Sequence, residues 1–158
     1  MNLLSWALWG FLATVVMTTL SAASQGLGLT RMNEPYMLGT MFTPDRDRAK
    51  VIGFGVHVAN GLVFSLVYVL AFGAWHRATW WLGAAIGAVQ AAFVLTVGMR
   101  ILPGLHPRMA SEQHGPTVAR QLEPPGFLAL HYGVGTPLAV LIAHVVFGMI
   151  LGAFYRPL

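Results

Sequence analysis

The chain reads as an all-α protein: a four-helix transmembrane bundle built from two helical hairpins repeated in parallel. Three observations carry that reading. Charged residues make up 9% of the 158 residues and hydrophobic residues 56%, against roughly 25% charged in an ordinary soluble domain. Asp, Glu, Lys and Arg are absent from residues 1–30, 51–76, 78–99 and 124–155, and each stretch reaches the ~20 apolar residues that cross a hydrocarbon core. Finally, the pattern His-Val-x-x-Gly-x-x-x-small-x-x-Tyr occurs over residues 57–68 and again, 87 residues on, over 144–155.

The first helix is expected over residues 3–23, fraying towards Gly26 and Gly28. Its small-residue end, Ser21, Ala22, Ala23 and Ser24, imitates a signal-peptide cleavage site. No basic residue precedes the apolar run, however, so it reads as a retained membrane helix. A polar loop over 31–50 follows, with Asn33, Glu34 and Pro35 and the mixed-charge run Asp45, Arg46, Asp47 and Arg48. The second helix is expected over 51–75. A short turn over 76–79 then leads to the third over 80–102, with Trp75, Trp80 and Trp81 forming an interfacial aromatic belt.

A Pro-, His- and Gln-rich loop over 103–125 precedes a short apolar segment, 126–135. Thr136 and Pro137 read as an N-cap followed by proline at the first helical position, placing the fourth helix over 137–155. The alternative is one helix from Phe127 kinked at Pro137. The whole chain, 1–158, forms one integral membrane domain, with repeat one over about 3–75 and repeat two over about 80–155.

Alternating crossings put both long loops on one face, with Arg31, Arg46, Arg48, Lys50, Arg100, Arg108 and Arg120; only Arg77 and Arg156 lie opposite. The positive-inside rule makes the loop face cytoplasmic and both termini external, in a multi-pass protein of the plasma (inner) membrane. The net charge of +4 is therefore no nucleic-acid signal: the basic residues sit at bilayer edges, without interleaved aromatics. The expected partners are the lipid bilayer, other membrane subunits or a second copy of the chain, and no nucleic acid.

Zero cysteines exclude disulfides and thiolate chemistry, leaving six His and eight Met as the soft or borderline ligands. His57 and His144 occupy equivalent repeat positions inside apolar helices. Two neutral imidazoles at similar depth suit a haem iron or copper held from both sides; the plainer reading is that each bonds a carbonyl or hydroxyl on a neighbouring helix. His131 joins them as a candidate metal ligand, and His57 and His144 are the candidate cofactor residues. Met32, Met37, Met41, Met99 and Met109 gather on the loop face with His106 and His114, a donor set suited to Cu(I), although Met also fills irregular gaps in cores. Thr14, Thr18, Asn60 and Gln90 are the polar groups available to orient the imidazoles. Tyr68 and Tyr155 read as interfacial anchors.

Gly61 with Ser65, and Gly148 with Gly152, are small-x-x-x-small pairs that let helix backbones approach. No charged residue lies deep in a span, and no hydrolase, metalloprotease, phosphate-loop or dinucleotide motif appears, so catalytic residues are not assigned. The His-x-x-x-Gly-x-x-x-small-x-x-Tyr helices, with Pro35, Tyr36, Met37, Leu38 and Gly39, resemble those of small uncharacterised bacterial four-helix membrane proteins. That resemblance implies a fold and no activity. Two functions follow as expectations: a non-enzymatic accessory or scaffold subunit of a larger membrane assembly, or a haem- or copper-binding protein using the His pair.

Overall fold

A computed structural model describes residues 1–111, 113 and 115–156. Among these residues six α-helices form: α1 (Leu3–Gly26), α2 (Glu34–Gly39), α3 (Arg46–Ala74), α4 (Trp80–Phe93), α5 (Met99–Leu105) and α6 (Thr136–Phe154). A π-helical turn, Val94–Gly98, joins α4 to α5 into one long rod. Four units are long and apolar enough to cross a membrane: Leu3–Gly26, Arg46–Ala74, Trp80–Leu105 and Thr136–Phe154. The expected four-helix, all-α architecture is therefore present.

The boundaries depart from the expectations where polar residues cap helices. Asp45 accepts the Arg48 amide at 2.8 Å and Asp47 sits in the first turn of α3. Acidic groups there complete the orphan amides and oppose the helix dipole. The charged run read as loop is thus the start of α3. Asn33 likewise accepts the Tyr36 amide at 2.8 Å and opens α2, with Pro35 in its first turn. The third span runs on to Leu105, and Pro103 lies in its last turn rather than in the loop.

Before α6, Gly126, Leu128 and Ala129 have φ of 69°, 54° and 59°, so the chain turns left-handed there and cannot continue into the helix. The kinked single helix is not formed; α6 starts separately at Thr136. The Thr136 hydroxyl is not a cap but bonds the Thr30 hydroxyl at 2.7 Å in a buried pair.

α1 packs on both α3 and α6, and α6 packs along α4. Two close crossings set these contacts. Along α4 and α6, an added Cβ would meet backbone oxygen at 1.9 Å from Gly83, 2.3 Å from Gly87, 2.0 Å from Gly148 and 2.1 Å from Gly152. Only glycine permits such approach. Between α1 and α3, a Cβ on Gly10 would meet Ser65 Oγ at 2.8 Å and one on Gly61 would meet Thr14 Oγ1 at 2.0 Å. α2 lies against the start of α3, with Gly39 on the Ala49 carbonyl and Gly53 on the Pro35 carbonyl.

Tyr68 and Tyr155 are not water-facing anchors: they are 1% and 2% exposed and stand in the core with Phe72, Phe147 and Leu151. Phe147 meets Tyr68 edge-on with ring centroids 5.4 Å apart. At one end the termini meet, Arg156 N donating to Ser5 Oγ at 2.9 Å. At the other end the two long loops interlock. Arg31 N donates to the Tyr132 carbonyl at 2.7 Å, Arg108 Nη1 to the Thr40 carbonyl at 2.7 Å, and Arg31 pairs with Glu123 at 3.1 Å.

Candidate binding site

A cavity of about 150 Å³ lies inside the loop-side half of the bundle. α1 contributes Met17 and Ser21, the α1–α2 region Met32, Glu34 and Met37, and α3 His57 and Asn60. Gln90, Val94 and Met99 come from the α4–α5 rod, and Val140 and His144 from α6. The two repeat histidines therefore face one shared space, although they belong to different helices 87 positions apart. The π turn lies in the wall. A π turn inserts one residue into the helical register, and here Val94, its first residue, and Met99, just after it, both reach the cavity.

The His144 ring is oriented by its own helix. Its Nδ1 lies 2.9 Å from the Val140 carbonyl, one turn back. A carbonyl only accepts, so Nδ1 carries the proton and Nε2 keeps its lone pair. That is the arrangement by which metal-binding imidazoles are commonly held. His57 makes no hydrogen bond to another described residue; it is half-buried on the cavity wall.

The threonines expected to orient the rings do something else. Thr14 Oγ1 donates to the Gly10 carbonyl and Thr18 Oγ1 to the Thr14 carbonyl, both at 2.7 Å. Gln90 accepts from the Tyr68 hydroxyl through Oε1, while Asn60 does share the cavity.

Glu34 was not anticipated as a site residue. It lines the same cavity, and Ser21 Oγ donates to its Oε1 at 3.1 Å. Burial pushes its carboxyl above the usual carboxylate range, against the lowering effect of a backbone hydrogen bond and of Ser21. Glu34 thus brings a carboxyl group to the cavity that both histidines line. Its signal lay in Asn33, Glu34 and Pro35, which together make a capped helix start; without seeing α2 fold back on α3, the acid reads as loop.

His131 lies apart. Its Nδ1 is 2.9 Å from the Pro124 carbonyl, its ring covers Gly126, and it does not line the cavity. His106 is buried beneath α2, and both its nitrogens are used. Nδ1 accepts from Arg108 N at 3.1 Å, so Nε2 bears the proton and donates to the Met37 carbonyl at 2.9 Å. Burial pushes this imidazole below its ordinary value. His114 lies outside the described residues. Met32, Met37 and Met99 reach the cavity, whereas Met109 is packed in the neighbouring core. Met17, absent from the loop-face methionines singled out in the sequence, also lines it.

Among the described residues, no cluster of three or more His, Asp or Glu is placed to hold a metal. An ion in this cavity must therefore complete its shell with thioethers, amides or water around the two imidazoles.

Fold and site together define a small, multi-pass, all-helical membrane protein with a largely apolar cavity in its bundle, into which a few polar side chains reach. No protein-family model matches the chain, and neither curated proteins nor solved structures yield a match.

Proposed function

We propose that this is a membrane copper-binding protein that holds Cu(I) between His57 and His144, with thioether donors from the methionines around them. The observation that carries this reading is the convergence of both histidines with Met17, Met32, Met37 and Met99 on one cavity. Imidazole and thioether are the donor types that select Cu(I). Charge argues the same way. The cost of placing an ion in a low-dielectric interior rises with the square of its charge, so a monovalent ion held by neutral ligands is cheaper than a divalent one. At about 150 Å³ the cavity is below the ~300 Å³ lower end of drug-sized pockets. That favours an ion over a haem.

The test is a Cu(I) titration of detergent-purified protein against a competing chelator, with elemental analysis and an absorption spectrum. One ion per chain is expected, with affinity at least tenfold weaker in His57→Ala and in His144→Ala and unchanged in His76→Ala. Equal uptake by the His57→Ala/His144→Ala protein would remove the reading, and an intense haem absorption band would replace it with haem.

The accessory-subunit role is the second reading. It is favoured by the interlocked loop face, where Arg108 and His106 bind the α2 turn and leave Phe42 and Val118 exposed. Stoichiometric co-purification of another membrane protein, without copper, is its signature. The hairpin duplication belongs with both readings. It is supported by the likeness of the two close crossings, α1 with α3 at Gly10, Thr14, Gly61 and Ser65, and α4 with α6 at Gly83, Gly87, Gly148 and Gly152. The excess of Arg and Lys on the loop side supports cytoplasmic loops and external termini in the plasma membrane.

A further inference from the structure

Beside the α4–α5 rod lies a second cleft, of about 410 Å³, with Met99 common to its wall and that of the central cavity. Arg100 and Arg120 both line it, together with Ser111, Gln113, Leu95 and Phe127. Of the other basic side chains of this face, Arg31 is engaged with Glu123, Lys50 with Asp47, and Arg108 with the Thr40 and Met41 carbonyls. Among the described residues, neither the Arg100 nor the Arg120 guanidinium has a hydrogen-bond or acidic partner. Two guanidiniums lining one cleft repel each other, and a bound anion offsets that repulsion. Their planar forks suit phosphate oxygens.

The position of the cleft says which phosphate. Arg100 lies five residues from the end of the span that finishes at Leu105, about 7–8 Å along a helix, which is headgroup depth. Around it Val97, Ile101, Leu105 and Phe127 are exposed, so the cleft is flanked by surface suited to acyl chains while two of its lining side chains are basic. Basic recesses between membrane helices on the cytoplasmic side are suited to anionic headgroups.

We propose that this cleft binds the phosphate headgroup of an anionic membrane phospholipid, clamped by Arg100 and Arg120. The site is independent of the copper cavity and stands if that reading fails. Native mass spectrometry of the purified full chain, with phosphatidylglycerol or phosphatidylcholine added to the micelles, tests it. At least tenfold preference for phosphatidylglycerol is expected, lost in Arg100→Gln/Arg120→Gln and retained in Arg77→Gln/Arg156→Gln at the opposite end. Among the described residues neither arginine of the test pair has a hydrogen-bond or acidic partner, so their replacement breaks no bond seen there; Arg100→Gln and Arg120→Gln singly should each reduce the preference. Absence of any preference, or its persistence in the double variant, overturns the proposal. Complete competition by an equal concentration of glycerol phosphate also overturns it, by assigning the cleft to a soluble phosphoester.

Discussion

Gly148→Ala isolates the α4–α6 crossing. A methyl at Gly148 would sit 2.0 Å from the Gly83 carbonyl oxygen, where ordinary contact begins at 3.4 Å. The obstacle is backbone, so no side-chain rotation relieves it. The helices must separate, and because Gly83, Gly87 and Gly152 share the interface, the packing along the whole crossing loosens. Overpacking of this kind costs about 1–3 kcal/mol, and a rigid backbone obstacle belongs at the upper end. Replacing glycine by alanine inside a helix returns about 1 kcal/mol, leaving a net loss of about 2 kcal/mol. Gly55 in α3 is the matched control, since a methyl there meets nothing within 4 Å; Gly55→Ala should stabilise by about 0.5–1 kcal/mol. Thermal unfolding of the two variants in the same detergent should therefore shift Tm in opposite directions. A Gly148→Ala protein as stable as Gly55→Ala would mean that α4 and α6 do not cross at these glycines.

Glu34→Gln should raise Tm at neutral pH while preserving an acceptor for Ser21. The folded-state pKa of Glu34 is raised, so the wild type loses stability as pH rises above about 4.5 towards the folded value, and the variant's advantage should shrink on acidification; a constant advantage would contradict this. His106 has the opposite sign. Its folded pKa is lowered, so the unfolded chain takes up the proton first, and stability should fall as pH drops below about 6.5. His106→Ala should flatten that slope and cost about 1–3 kcal/mol for the groups left unbonded, read by thermal unfolding across pH. Tyr68→Phe keeps the ring contacts but deprives Gln90 Oε1 of its donor; a loss of about 1–3 kcal/mol is expected, and an unchanged Tm would place no weight on that bond.

The four spans were legible because a bilayer demands long uncharged runs, and these are visible in composition alone. The polar boundaries were not. Asp45 to Arg48 look like loop by charge, yet charge is what a helix N-terminus recruits, and Asp45 caps α3 for that reason. Tyr68 and Tyr155 were misplaced through a related ambiguity: a tyrosine ending an apolar helix fits an interface or a core, and only the position of Gln90 and the Asn2 amide decides for the core. In the site, His57 and His144 stood out by the sequence pattern they share, and both line the cavity. Glu34 could not, since its approach depends on α2 folding back onto α3 through Gly39 and Gly53. The departure of His131 follows from left-handed backbone at Leu128 and Ala129, a conformation that residue type does not announce.

X-ray absorption at the copper edge of the purified, Cu(I)-loaded chain tests the His–Met cavity most directly. A mixed shell of imidazole nitrogen and thioether sulfur is expected, with the imidazole scattering lost in His57→Ala/His144→Ala. A shell of oxygen alone, or a spectrum unchanged in that double variant, would contradict copper binding between the two repeat histidines.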